Sequence, residues 1–334
     1  MGFLLGIDIG GTKIEAAVLQ FSLEQKVGPV EWSIKNKAFS GRIIGRERIK
    51  TQRQEGYEQA LRRTLDLCRK LLQDTGLSLG QLQGIGMGLP GPIEPVKKMM
   101  VAGNSAIFIN QDIVNALKRG LDFSGEISCA NDANCFTLAE SLAGAGSKFK
   151  KEERPFQALG IILGTGVGGG FFFSEHVYPG RRGGASEWGH LPFISDGHPC
   201  YCGNLGCVEQ YLSGPALEAS FGMRMYSQIV QRPKAEEVFK LAEAQDPVAM
   251  AVVKRYQRYL AKFCAMLTQA YDPNVIILGG GVSQQSSLYD GLQELMTPYL
   301  FIQEDPPLVV PHKLGDSAGV LGAAILPLMK LPCE

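Results

Sequence analysis

Three of the eight cysteines in the chain, Cys200, Cys202 and Cys207, lie within eight positions of one another. Thiolates at this spacing are typical zinc ligands. The opening residues carry no basic secretory signal, so we expect reduced thiols in a cytoplasm that bind a metal instead of forming disulfides. Zinc needs a fourth ligand, and spacing alone leaves both His190 and His198 as candidates.

A carboxylate at Asp132 lies in the stretch SCANDANCF (128–136), where the pattern of a strand gives way to that of a helix. An aspartate at such a place can cap the helix, which contributes about 1 kcal/mol. It can also be a general base that accepts a proton during catalysis. The residues alone leave both roles open.

Two glycine-rich turns lie between apolar strand patterns, at 8–13 (DIGGTK) and at 164–169 (GTGVGG). The second contains G-x-G-x-x-G, but that dinucleotide motif must open a helix, and the apolar residues after it predict a strand. No Walker Gly-Lys-Ser/Thr occurs in the sequence. Such turns let backbone N–H groups approach phosphate oxygens, so we expect them to bind nucleotide phosphates and their Mg²⁺. A plain hairpin is the alternative for each turn.

A third glycine turn, LGGGVS at 278–283, follows a strongly apolar strand pattern. We expect it to precede a helix, whose N-terminus would favour adenosine or an α-phosphate. The alternative is a strand-to-helix turn without a ligand.

The composition points to a small-molecule partner. Of 334 residues, 33 are Lys or Arg and 33 are Asp or Glu, with no long run of one sign. Nucleic acids and anionic membranes demand a concentrated basic surface, so both are excluded as expected partners. At 45% hydrophobic residues the chain can bury two cores of ordinary size.

Strand and helix patterns alternate along the chain, which indicates an α/β protein. The predicted strands lie at 3–9, 14–19, 84–89, 158–163, 170–173 and 274–280, and the clearest helices at 55–73 and 250–271. The stretches 8–18 and 164–173 share one plan, a glycine turn followed by an apolar strand. This repeat predicts two domains whose glycine turns face each other across a cleft.

Together these motifs resemble the sugar kinases of the ROK family, within the actin-like ATPase superfamily, from about residue 7 to residue 324. Residues 8–13 are similar to the family's first phosphate loop and 164–169 to its second; we call them phosphate loops 1 and 2. Residues 279–281 resemble its adenosine loop and 315–324 (GDSAGVLGAA) its closing connector.

The resemblance implies two actin-like (ribonuclease H-like) α/β domains with a cleft between them. The smaller N-terminal domain would comprise residues 1–129 plus 318–334. The larger domain, 130–317, would contain the zinc loop. A last helix, at about 318–330, is expected to return to the first domain.

The same resemblance implies the ligands of the site. ATP and Mg²⁺ would be bound by Asp8, Gly10, Gly11, Thr12, Lys13, Gly164, Thr165, Gly166, Gly168, Gly279, Gly280 and Gly281. The sugar would be bound by Asn104, Asn131, Asp132, Glu187, His190 and Glu209, with Asp132 as the general base.

The family's metal signature places a Gly-His pair nine residues before the first cysteine, which selects His190. Structural zinc is therefore expected on His190, Cys200, Cys202 and Cys207. One position departs from the family, because Ser186 stands where a glycine usually precedes Glu187, and its side chain could tilt that carboxylate.

The expected activity is ATP-dependent phosphorylation of a hexose by a cytoplasmic homodimer. Stretches such as AGNSAIFIN (102–110) rank fructose first, N-acetylglucosamine second and glucose third. Two rivals belong to other classes. A sugar-responsive ROK repressor would carry a DNA-binding module before phosphate loop 1, and an NAD-dependent dehydrogenase would need the helix that phosphate loop 2 is not expected to open.

Overall fold

The computed structural model describes residues 1–23, 25–34, 37–150, 155–225 and 233–330. Strands and helices alternate, as the sequence predicts. The strands are β1 (Gly2–Ile9), β2 (Lys13–Ser22), β3 (Val30–Ile34), β4 (Lys37–Lys50), β5 (Leu82–Leu89), β6 (Ile93–Glu94), β7 (Met99–Met100), β8 (Ile127–Asn131), β9 (Gln157–Leu163), β10 (Val167–Phe173), β11 (His176–Val177), β12 (Val275–Gly279) and β13 (Leu308–Pro311). The α-helices are α1 (Tyr57–Thr75), α2 (Ile113–Leu121), α3 (Asp132–Leu142), α4 (Glu209–Leu212), α5 (Gly214–Met225), α6 (Ala235–Glu243), α7 (Pro247–Tyr271), α8 (Leu292–Met296) and α9 (Ala318–Ile325).

The chain divides into two compact units. Unit 1 comprises Met1–Lys150, Gly170–Ala185 and Lys313–Glu334, of which 331–334 lie outside the described residues. Unit 2 comprises Lys151–Gly169 and Ser186–His312. The two units are sets of residues that pack closely together. The expected domains are defined differently, as the two bodies that would close over a cleft, and they comprise 1–129 plus 318–334 and 130–317. The expected domain boundaries therefore stay a prediction.

Unit 1 is built on a six-stranded sheet with the order β3-β4-β2-β1-β5-β8. The central strand β1 is almost continuously apolar, as expected for a strand covered on both faces. Strands β1, β5 and β8 are parallel, with Asp8 opposite Gly88 and Leu89 opposite Asn131. Their carboxyl ends therefore meet at one edge of the sheet, where open α/β sheets bind ligands.

Helix α9 packs on β1 and β5 at two glycines. A Cβ added to Gly86 would lie 1.7 Å from the carbonyl oxygen of Ala323, and one added to Gly6 would lie 2.3 Å from that of Val320. The sequence predicted a helix over about 318–330. The α-helix ends at Ile325 and a 3₁₀ helix follows, because Pro327 lacks the N–H that would continue the α-helical ladder.

A fully buried carboxylate on α3, that of Glu140, receives backbone hydrogen bonds from two segments of unit 1. Ala145 N–H donates to Oε2 at 2.8 Å. Lys313 N–H lies 3.0 Å from Oε2, and Leu314 N–H donates to Oε1 at 2.7 Å. Glu140 thus holds the chain where it re-enters unit 1 just before α9.

Unit 2 contains the parallel strands β9, β12 and β13, with β12 in the middle. Its longest helix, α7, begins where Asp246 caps the N–H groups of Val248 and Ala249 ahead of Pro247. In the described part of the chain, no helix is both long and apolar enough to cross a membrane.

Candidate functional site

Two aspartates flank the end of β5 in unit 1. A Cβ added to Gly88 would lie 3.2 Å from Oδ1 of Asp8 and 3.7 Å from Cα of Asp132. The missing side chain therefore leaves room between the end of β1 and the start of α3. Asp8 and Asp132 therefore lie on either side of Gly88 at the edge where the parallel strands end.

Electrostatics at this edge favour a bound cation. Burial and, to a smaller extent, the charge of Asp132 raise the pKa of the Asp8 carboxyl to about 7, while Lys13 opposes the rise. Two carboxylates in one partly buried place repel each other, and a divalent cation would relieve that repulsion.

Helix α3 is capped by Asn131, not by Asp132. The side-chain oxygen of Asn131 accepts from the N–H groups of Ala133 at 2.8 Å and Asn134 at 3.3 Å. Asp132 is the first helical residue, and its Oδ1 also accepts from Ala133 N–H at 2.8 Å. The interpretation of Asp132 as the helix cap is therefore wrong, because the cap position falls one residue earlier.

Phosphate loop 1 is a tight turn between β1 and β2, in which Gly10 N–H donates to the carbonyl of Lys13 at 2.8 Å. The exposed Thr12 stands at its tip, and Nζ of Lys13 lies 4.0 Å from a carboxylate oxygen of Glu15. Asn104, also in unit 1, is exposed.

Phosphate loop 2 closes at Gly164, whose N–H donates to the carbonyl of Gly166 at 3.0 Å. Strand β10 follows at once, so Gly168 lies in a strand. No helix begins here, as expected, and the dinucleotide motif lacks the helix N-terminus it requires. Gly164 is open, since an added Cβ would meet only Cγ2 of Ile162, at 3.9 Å.

The carboxylate of Glu209 contacts phosphate loop 2. Its Oε2 accepts from Val167 N–H at 2.9 Å, and a Cβ added to Gly166 would lie 2.4 Å from the same oxygen. The contact with Glu209 therefore requires a glycine at position 166. Glu209 was expected only as a sugar ligand; its contact with the loop was not foreseen.

The third glycine turn differs from the expectation. A three-residue 3₁₀ helix, Val282–Gln284, follows it instead of an α-helix, so no helical N-terminus is available to an α-phosphate. Gly280 has φ 83° and packs against the backbone of Leu163, which makes it a structural glycine. Gly281 is open, with nothing within 4 Å of an added Cβ, and Gly279 ends β12.

A cavity of about 520 Å³ lies in unit 2, a volume typical of small-molecule sites. Thr165 and Glu209 line it, as do residues that the sequence did not single out, among them Ser213, Arg255 and Tyr256. Sequence patterns missed Arg255 and Tyr256 because they lie in α7, where helical periodicity indicates only packing, and Ser213 because it lies between α4 and α5.

The four candidate zinc ligands converge in unit 2. One ligand atom from each of His190, Cys200, Cys202 and Cys207 lies within 4.8 Å of the others. The set offers three sulfurs and one nitrogen, which fits tetrahedral zinc with no position left for water. Hydrogen bonds from Asn204 and the neighbouring thiols outweigh burial and lower the pKa of Cys202, whereas burial raises that of Cys207 to about 12.

His190 presents one ring nitrogen to the thiols and the other to Tyr201. Nδ1 lies 3.6 Å from Sγ of Cys200, and Nε2 lies 2.9 Å from the hydroxyl of Tyr201. The rival ligand His198 lies outside the cluster, and its ring packs on Tyr211 with centroids 5.4 Å apart. Tyr201 went unnoticed in the sequence because the metal signature specifies no residue type between Cys200 and Cys202.

Glu187 directly precedes the 3₁₀ helix Trp188–His190. Burial raises the pKa of its carboxyl, and the charge of Glu209 adds to the rise. Ser186, in the place of the usual glycine, adopts φ 66° and is buried. Within the described residues its hydroxyl has no hydrogen-bond partner. The departure from the family pattern therefore carries a conformational cost.

Comparison with known proteins identifies the family. The ROK family profile matches residues 34–330. A protein of Mannheimia succiniciproducens named N-acetyl-D-glucosamine kinase is 32% identical, over 98% of this chain and 100% of that protein. The solved ROK hexokinase of Thermus thermophilus aligns with a TM-score of 0.77 and 29% identity, over 98% of this chain and 99% of that one.

A second solved structure, a ROK family glucokinase of Streptomyces griseus in complex with glucose and AMPPNP, aligns with a TM-score of 0.75 and 25% identity. The alignment covers 97% of this chain and 99% of that one. The predicted fold class, two actin-like α/β domains, is confirmed, and so is the predicted enzyme class. The chain belongs to the ROK family and is an ATP-dependent sugar kinase.

Proposed function

We propose that the sugar phosphorylated by this kinase is N-acetylglucosamine. The observation that carries the proposal is the 32% identity to an N-acetyl-D-glucosamine kinase that this chain matches from end to end. Sequence patterns ranked fructose first and this sugar second. Fructose remains the second candidate, favoured by the stretch 102–110, by Trp188 and by the cysteine segment 200–207.

The proposed chemistry assigns one role to each group of residues. Asp132 accepts the proton of the sugar hydroxyl, whose oxygen attacks the γ-phosphorus of ATP as ADP leaves. Phosphate loops 1 and 2 bind the phosphates, with Mg²⁺ neutralising their charge near Asp8. Asn104, Asn131, Glu187 and Glu209 bind the sugar hydroxyls. His190 binds a sugar hydroxyl through Nε2, which exchanges the Tyr201 hydroxyl, its partner at 2.9 Å in this structure, for the substrate. The position of Asp132 beside Asp8 supports the assignment, as does the open space at Gly164.

The metal set supports structural zinc, which would fix the segment that carries His190 and adjoins Glu209. The expected homodimer is supported by exposed apolar side chains on the segment from Tyr299 to Leu308, where Phe301 is 91% exposed. Light scattering of the purified protein tests the dimer.

A sugar panel tests the substrate. Purified enzyme is assayed with N-acetylglucosamine, fructose and glucose by coupled ADP detection. We expect the highest kcat/KM with N-acetylglucosamine, by at least about 10-fold, which corresponds to about 1.4 kcal/mol of transition-state discrimination. A higher kcat/KM with fructose would overturn the proposal and support the original ranking.

A further inference from the structure

The turn that follows β4 is attached to phosphate loop 1 by two hydrogen bonds. Thr51, which is fully buried, donates its N–H to the carbonyl of Thr12 at 3.0 Å and its hydroxyl to the carbonyl of Gly10 at 2.7 Å. The position of this turn is therefore fixed relative to the loop, although the two are about forty residues apart in sequence.

The next residue, Gln52, has φ 51° and ψ 49°, the left-handed conformation. For a residue other than glycine this costs about 1–2 kcal/mol, and such outliers persist where the surroundings demand them. Here the conformation directs the chain so that Arg53 approaches the loop. A Cβ added to Gly11 would lie 3.7 Å from Nη1 of Arg53 and 3.0 Å from Oγ of Ser105.

Two glutamates on neighbouring segments, Glu55 and Glu15, form ion pairs with arginines other than Arg53. Glu55, two residues later, pairs with Arg63. Glu15, on β2, pairs with Arg46 and also with Arg48, at 2.7 Å. Across the described ranges, Arg53 makes no ion pair, and its side chain is exposed.

We infer that Arg53 is a catalytic residue whose guanidinium binds the phosphate oxygens of ATP at phosphate loop 1. A planar guanidinium matches two phosphate oxygens at once, and a cation here offsets the charge that develops as the phosphoryl group moves. In the transfer, the sugar oxygen–phosphorus bond forms, the bond from the γ-phosphorus to ADP breaks, and the hydroxyl proton passes to Asp132. Arg53 transfers no atom. The inference rests on the proposed assignment of phosphate loop 1.

Arg53→Gln tests the inference, with Arg62→Gln, an exposed change on α1, as the matched control. Loss of one preorganised cationic donor should lower kcat by about 100-fold. Arg53→Lys should recover part of that loss, since it restores the charge without the planar fork. We expect AMPPNP to bind Arg53→Gln more weakly than wild type, AMP to bind equally, and sugar KM and the melting temperature to stay unchanged.

A kcat for Arg53→Gln within threefold of wild type, or an equal loss of AMP and AMPPNP affinity, would overturn the inference. The assays use whichever hexose gives the highest kcat/KM, so an error in the proposed sugar does not affect the result. Gly11→Val is measured in parallel. If it leaves AMPPNP affinity unchanged, the assignment of phosphate loop 1 is wrong; if it weakens AMPPNP and Arg53→Gln does not, only the role of Arg53 is wrong.

Discussion

The hydroxyl of Tyr201 lies 2.9 Å from Nε2 of His190, on the opposite side of the ring from the thiol of Cys200. The two rings also meet edge to face, with centroids 5.1 Å apart. Tyr201 thus orients the imidazole of His190 so that Nδ1 faces the candidate zinc cluster. Partners of this kind fix the tautomer and the angle of a metal-binding histidine.

Tyr201→Phe should therefore weaken zinc binding without preventing it. Loss of such a partner typically costs 10- to 100-fold in metal affinity, so we expect zinc to pass to a coloured chelator about 10-fold faster than in wild type. Elemental analysis first establishes one zinc per chain. Tyr178→Phe, an exposed change in unit 1, is the control, and equal release from both variants would contradict the positioning role.

Asp132→Asn should separate catalysis from helix capping. Because Asn131 caps α3, the change leaves the cap intact, and we expect a normal melting temperature with a kcat lower by about 10²–10⁴. Asn131→Ala is the complementary variant and should lose about 1 kcal/mol of stability. If Asp132→Asn keeps more than about a tenth of wild-type kcat, the proton acceptor lies elsewhere, and Glu187 is the next carboxyl to test.

Asp8→Asn should stabilise the enzyme in the absence of Mg²⁺ and nucleotide. The pKa of Asp8 is about 7 in the folded chain, against 3.8 for an ordinary aspartate. Between these pH values the folded state binds more protons than the unfolded state, so stability falls as pH rises from about 4 to 7, by about 1.4 kcal/mol per pKa unit at most. The Asp8→Asn variant does not lose this stability, because an asparagine carries no charge at any of these pH values.

Its melting temperature should therefore exceed that of wild type clearly at pH 8 and only slightly at pH 5, while activity is lost. Thermal melts at both pH values check this. A difference between variant and wild type that does not change with pH would show that the Asp8 carboxyl is not destabilised by its surroundings.

Ser186→Gly should also stabilise the protein. It removes a left-handed non-glycine residue and a buried hydroxyl without a partner in the described structure, and the added chain entropy offsets only part of the gain. We expect a net gain of about 1–2 kcal/mol in denaturant unfolding. Ser174→Gly is the matched control: it has φ 47° but an exposed side chain, and should gain less. No gain for Ser186→Gly would contradict the strain argument.

The strands and long helices could be predicted because their apolar residues recur with the period of each element. Strand β1 and helix α7, for example, begin within three residues of the expected positions. Spacing alone indicated the three cysteines among the candidate zinc ligands, and the metal signature of the family selected His190 over His198. The strands and helices are encoded by residues close together in sequence, and the zinc ligands follow a pattern of the family.

The remaining features depend on contacts between distant segments. Arg53 and Gly11 are brought together by Thr51, and nothing in the sequence around Arg53 indicates a phosphate. The contact of Glu209 with Val167 joins two motifs that the sequence presents separately. The usual glycine at position 186 hinted at a positive φ, but the sequence could not show that Ser186 keeps this conformation.

Helix α3 carries Asp132 at its first position, and through the hydrogen bonds of Glu140 it also anchors the segment that leads into α9. The same helix holds the backbone of Lys313 and Leu314 and packs against α9, so the helix that carries the candidate base shares buried contacts with the segment 313–325. Such segments open and close as one cooperative unit. Local opening of the segment 313–325 would therefore loosen helix α3 as well, and with it the position of Asp132.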